Sequence, residues 1–224
     1  MGYWSSLKNR IKKSIKFPNR LQVKKGEMKL KTVGRHIDKE KIKQAVIMIL
    51  EAIGEDTKRP GLIETPDRVA KYYSEIFEGM LYTNDEIATM FNKTFEHKDM
   101  TGLVVEKDIT VFSMCEHHLA LMYDMKVSIG YIPKGKVIGL SKLNRIAQMV
   151  AKRPQLQEKI GEDIADVLEK VLGTKDIAVH ISGKHGCVAS RGIKDPNSVT
   201  VTATLRGTFR RNAMLRSEFY SMIK

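Results

Sequence analysis

Two short segments hold the residue types best suited to chemistry. Cys115-Glu116-His117-His118 and His185-Gly186-Cys187 contain both cysteines of the chain and three of its six histidines. Thiolate sulfur and imidazole nitrogen are the donors Zn²⁺ prefers. On a strand, His185 and Cys187 would project from one face, because side chains alternate with period two. Cys115 and His118 are three apart, so they converge only if the chain turns after Cys115. The ligand set read from this pattern is Cys115, His118 and Cys187. Three protein ligands leave a position for water, the arrangement of catalytic rather than structural zinc. His117 and His185 then lie beside the metal, free for proton transfer.

Other readings stay open at this level. Free cysteines are among the most buried residue types and could simply be core. A disulfide is possible in principle, but no apolar signal segment points to an oxidising compartment. A closed structural site would need a fourth ligand, which His117 or His185 could supply. A Cx₂H with a distant HxC is a weaker signal than paired CxxC motifs.

Basic residues near these segments suggest an anionic substrate. Ser141, Lys142 and Arg145 fall in the first turn of a predicted helix, where free backbone N–H groups attract anions. Arg191 follows Cys187 by four residues. Together they could clamp a polyphosphate, with Arg suited to bidentate contacts; singly, each reads as surface charge. Gln157 and Glu158 are either exposed helix residues or an amide and carboxylate that read a base edge.

The elements that must position these residues follow from periodicity. Asp38 caps a helix whose Ile42, Ala45, Val46, Ile49 and Ile53 form an apolar face ending at Gly54. Thr65-Pro66 opens a second helix, with Thr65 as N-cap and Val69, Tyr72, Tyr73 and Ile76 inward. From Leu103 the period changes to two. Ile109 and Val111, then Val127, Ile129 and Tyr131, read as half-buried antiparallel strands with a hairpin turn at Tyr123-Asp124. Ser141 caps a helix through Leu143, Ile146, Ala147 and Val150. Arg153-Pro154 interrupts it, and a further helical run spans residues 155–172. Strands follow at 177–181 and 198–205, the latter with Val199, Val201 and Ala203 alternating against threonines. A short helix at 218–223 ends the chain. The fold class is α+β: an antiparallel sheet with two long helices inserted between strand pairs.

Composition bounds the possibilities. With 224 residues and 42% hydrophobic content, one domain can bury a sizeable core. The longest apolar run, residues 45–50, is far too short to span a bilayer. The net charge of +13 suggests nucleic acid until it is divided. Residues 1–35 carry eleven basic side chains against one acid, leaving 28 basic and 25 acidic over the remaining 189. The basicity is a leader, and the body is nearly neutral. Leu7, Ile11 and Ile15 recur among lysines there, as in a short basic amphipathic helix, but three aliphatic residues bury little area and a disordered leader is favoured. Met28 is a candidate alternative start.

The runs CEHH at 115–118, YIPKGKVIGLSKLNRI at 131–146, RPQLQE at 153–158 and HGCVASRGIKD at 185–195 together resemble GTP cyclohydrolase I. The resemblance extends from about residue 37 to the end. It implies the tunnelling fold (T-fold), with an N-terminal helical part at 36–100, a catalytic part at 101–224, and residues 1–35 outside both. It implies a homodecamer of two stacked pentamers with active sites between subunits. The implied reaction converts GTP to 7,8-dihydroneopterin triphosphate with release of formate, feeding folate, biopterin or deazaguanine pathways in the cytoplasm. Position by position, it assigns Cys115, His118 and Cys187 to zinc, and His117 and His185 to acid/base work. Ser141, with His185, is a candidate for proton shuttling at the ribose. Glu158, helped by Gln157, anchors the guanine. Ser141, Lys142, Arg145 and Arg191 match ribose and triphosphate contacts, and Arg68 matches an arginine given to another subunit's site. Ala189-Ser190 departs from the bulkier or basic residues often found there, and the leader has no counterpart.

Two other classes compete. A related T-fold enzyme would need three zinc histidines, or a catalytic cysteine without zinc, and the Cys/His/Cys set opposes both. A nucleic-acid binder would rest on the leader alone, and neither nucleic acid nor a membrane is expected as a partner.

Overall fold

The computed structural model describes residues 35–224; the basic segment around Leu7, Ile11 and Ile15, and Met28, lie outside the described residues. Helix α1 spans Lys39–Ala52, and the Asp38 side chain accepts from the Lys41 N–H at its start. Its apolar stripe forms as the spacing predicts, yet it buries no residue: Met48, Ile49 and Ile53 are exposed. Helix α2 is Thr65–Ile76. Thr65 is not its cap. Glu64 takes that position, the helix begins one residue early, and Pro66 still falls in the first turn, where a missing N–H costs nothing. Tyr72, read as inward, is largely exposed, while Ala70 and Ile76 are buried.

A 3₁₀ turn at Glu78–Leu81 leads to α3, Asn84–Met90, a helix that hydrophobic periodicity alone did not reveal. Its signal is a capping box: Thr83 accepts from the Glu86 N–H while the Glu86 carboxylate accepts from the Thr83 N–H.

The main sheet has five strands in the order β5-β2-β3-β6-β7. These are β2 Val104–Cys115, β3 Leu121–Tyr131, β5 Pro154–Gln155, β6 Ile177–His185 and β7 Thr200–Leu205. All pairings are antiparallel except β5 on β2, which is parallel and brings Gln155 beside Cys115. A separate ribbon pairs β1, Thr94–Glu96, with β4, Lys136–Ile138. One face of the main sheet, with Ile109, Val111, Val127, Ile129, Val179 and Ile181, is covered by α4, Leu140–Ala151, and α5, Gln157–Leu172. Leu143, Ile146, Ala147 and Val150 of α4 are fully buried there, as are Ile160, Ile164, Val167 and Leu168 of α5. The opposite face carries a smaller cluster, where Phe209 and Phe219 from α7 (Gly207–Arg211) and α8 (Ala213–Ile223) cover Ala178. The C-terminal helix is thus longer than its apolar spacing suggested. Asn212 caps it by accepting from the Met214 and Leu215 N–H groups.

Three further expectations are corrected. Ser141 does not cap α4: Gly139 holds that position, and Ser141 lies exposed in the first turn. Tyr123-Asp124 is not a hairpin turn but a bulge within β3, with Asp124 at φ 50°. Aspartate tolerates that left-handed conformation better than most residues, so a turn-like dipeptide can sit inside a strand. In β7 the alternation is inverted. Thr202 and Thr204 face α5, while Val199, Val201 and Ala203 point outward, because the polar Gln157 and the side-chain-free Gly161 of α5 meet the threonines.

Candidate metal centre

The true β2–β3 connection is the CEHH segment itself. Cys115 N–H donates to the Ala120 carbonyl at 2.9 Å, and Leu119 N–H donates to the Cys115 carbonyl at 2.9 Å. Leu119 turns the chain at φ 48°. This is the turn after Cys115 that joint ligation by Cys115 and His118 requires. The bulge in β3 then sets the register, so that Met122 pairs with Ser113 on one side and His185 on the other. The ends of β2 and β6 are thereby brought level across β3. The strand parity expected for His185 and Cys187 does not apply, because β6 stops at His185 and Cys187 lies in the short helix α6, Gly186–Ala189. Gly186 permits this approach: a Cβ there would meet the Leu121 carbonyl oxygen at 2.9 Å.

Ligand atoms of Cys115, His118 and Cys187 all lie within 4.8 Å of one another. The two sulfurs are 3.9 Å apart and unbonded. Two Zn–S bonds of about 2.3 Å at a tetrahedral angle span about 3.8 Å, so the sulfur pair fits a zinc ion as it stands. Soft thiolates with an imidazole also disfavour the hard cations Mg²⁺ and Ca²⁺. Cys115 is buried, Cys187 half-buried and His118 exposed, so the triad opens to solvent on the histidine side. Burial, and then the neighbouring Cys115 sulfur, push the Cys187 thiol above its ordinary pKa, while the Arg191 guanidinium pulls the other way. A bound cation would displace that proton.

Around the triad, His117 Nδ1 is 4.0 Å from the Cys115 sulfur, and an Arg191 Nη1 lies 3.0 Å from His118 Nε2. His185 Nε2 lies 2.9 Å from Gln157 Oε1. Burial lowers the His185 pKa, opposed by the Glu158 carboxylate, which is exposed at the start of α5. His117, His185, Gln157, Glu158 and Arg191 therefore gather at the triad within one chain. Ser141 and Lys142 do not: they occupy the beginning of α4, with Arg145 midway along it, whereas its far end leads to Arg153, whose carbonyl accepts from Ser113, and to Gln155 beside Cys115. Twelve helical residues put about 18 Å between those ends. Arg68 is exposed on α2 and pairs with Glu64.

A buried polar node that hydrophobic periodicity does not reveal centres on Arg153. The Arg153 guanidinium donates to Asp163 Oδ2 at 3.1 Å, Asn84 Oδ1 at 2.8 Å and the carbonyls of Gly79 and Tyr82. It ties the 79–84 segment to β5 and α5. The available signal was Asp163, a carboxylate on the otherwise apolar stripe of α5 and only 4% exposed.

The fold and site together define a T-fold protein with a Cys/His/Cys group that could hold a metal ion. The family model for GTP cyclohydrolase I matches residues 42–224. Similar proteins include the GTP cyclohydrolase 1 of Clostridium acetobutylicum, 53% identical over 192 residues (84% of this chain, 98% of the relative). That of Clostridium botulinum is 54% identical over 187 residues (81% and 95%), and that of Clostridium beijerinckii 50% over 195 (85% and 99%). The chain belongs to the GTP cyclohydrolase I family.

Proposed function

We propose that this chain hydrolyses and rearranges GTP to 7,8-dihydroneopterin triphosphate with release of formate, the first step of pterin and folate biosynthesis. The observation that carries this reading is the Cys115–His118–Cys187 triad at zinc-binding separation, open on one side and flanked by His117 and His185. Zinc held there would lower the pKa of a bound water towards about 7 and supply hydroxide at neutral pH.

The chain's own residues do the rest. His117 protonates N7 of guanine and makes C8 more electrophilic. Glu158 anchors the pyrimidine edge of the base, with Gln157 beside it. His185 and Ser141 move protons during opening and rearrangement of the ribose. Lys142, Arg145 and Arg191 hold the triphosphate, which is not cleaved; its binding energy positions the purine.

The separation of Ser141 and Lys142 from the triad supports sites completed between subunits: one chain supplies the metal ligands with His117, His185 and Arg191, a neighbour supplies Ser141, Lys142 and Arg145, and Arg68 reaches another chain's site. A homodecamer of two pentamers meets that need. Residues 36–100 and 101–224 act as helical and catalytic parts of one domain. Among the described residues no helix is long and apolar enough to cross a membrane, and a cytoplasmic setting suits thiolate ligation. Incubating the zinc-loaded protein with GTP tests the reading: a fluorescent pterin should accumulate after oxidation of the product, and its absence would overturn the assignment.

A further inference from the structure

We propose that Gln157 is a positioning residue that holds His185 as its Nε2–H tautomer, leaving Nδ1 as the atom that exchanges protons with substrate. This rests on the reading that His185 works as an acid/base group.

The amide orientation of Gln157 is fixed by its surroundings. Its Nε2 faces the Ile181 carbonyl at 3.2 Å, the Thr200 carbonyl at 3.1 Å and Thr202 Oγ1 at 3.3 Å. Backbone carbonyls only accept, so the NH₂ end must point at the strands and Oε1 must point at His185. That oxygen also only accepts, so the imidazole nitrogen 2.9 Å away carries a hydrogen. Neutral His185 is then protonated at Nε2 and has its lone pair at Nδ1. The opposite tautomer would set two lone pairs against each other.

The seat is built for this residue. Gln157 is 1% exposed at the first turn of α5, and its carboxamide is engaged at both ends within the chain. Gly183 borders this seat: a Cβ there would clash with Met125 Cγ at 2.8 Å and touch Gln157 Oε1 at 3.4 Å. A side chain so committed has no hydrogen left to read a base, so recognition of the guanine edge falls to the exposed Glu158 next to it. Gln157 acts through His185, as the group that orients a catalytic histidine does in a hydrolytic triad.

A double-mutant cycle tests this, with kcat, KM and bound zinc measured for each protein. Gln157→Met should lower kcat at least about tenfold with KM nearly unchanged and zinc retained, the pattern of a group acting on the chemical step. In the His185→Ala background the same substitution should change kcat by less than about twofold, because its target is gone. An equal loss in both backgrounds would show a role independent of His185 and overturn the proposal, as would a rise in KM at constant kcat. Full turnover by His185→Ala alone would instead sink the acid/base reading on which it stands. If Gln157→Met fails to fold, Thr202→Val removes one amide anchor, and its smaller loss must likewise vanish in His185→Ala.

Discussion

At the scale of residues, the candidate metal centre draws Cys115, His117, His118, His185 and Cys187 together from the ends of two strands. Removing one ligand leaves a cation two donors, one of them an exposed histidine. Cys187→Ala is therefore expected to lose both zinc, measured by metal analysis after dialysis, and turnover. His117 differs in kind. Its ring lies beside the Cys115 sulfur rather than within the triad, so His117→Ala should keep zinc while kcat falls about 10²–10⁴-fold, the usual contribution of general acid catalysis. Zinc lost in proportion to activity would make His117 a ligand. The triad was legible in the sequence because residue type alone restricts it: the chain has two cysteines, and both lie beside histidines. The engagement of Gln157 was not legible, since its partners at Ile181, Thr200 and Thr202 depend on how β6 and β7 pair over α5.

At the scale of elements, two bulges and one buried ion pair set the geometry. Asp108 and Asp124 sit at positive φ where β2 and β3 gain an extra residue, and the second bulge aligns Met122 with His185. Periodicity exposed the strands but could not separate a bulge from a turn at Tyr123-Asp124, because both use the same residue types. Nor could it choose the buried face of β7, where the edge position and the polar Gln157 invert the usual preference. The Arg153–Asp163 pair, with side chains 13% and 6% exposed, joins the 79–84 segment to α5. Asp163→Ala leaves that guanidinium buried without its counter-charge and should cost about 3–5 kcal/mol in denaturant unfolding. On the other face, burial beside Tyr220 lowers the pKa of His180. The unfolded chain then binds the proton more readily, so its contribution to stability is present above the ordinary histidine value of about 6.5 and is lost as pH falls below it. His180→Gln should flatten the pH dependence of the unfolding midpoint in that window; an unchanged slope would exclude His180 as its source.

At the scale of the whole molecule, one chain leaves apolar surface uncovered. Met48, Ile49 and Ile53 on α1 and Val199 and Val201 at the β7 edge are exposed, and unpaired edges and apolar faces favour association. Closed symmetry would cover both, and it would bring one chain's α4 start to another chain's triad. Mixing inactive Arg68→Ala and Cys187→Ala proteins, then dissociating and reassembling them, should restore partial turnover. None recovered in rings shown to be mixed would mean that each chain holds a complete site. Opening of the imidazole ring of GTP at C8 by this centre can be followed with GTP labelled at that carbon. The label should appear in formate, one equivalent per pteridine formed, with no loss of phosphate. Label retained in the nucleotide, or phosphate released instead of formate, would contradict it.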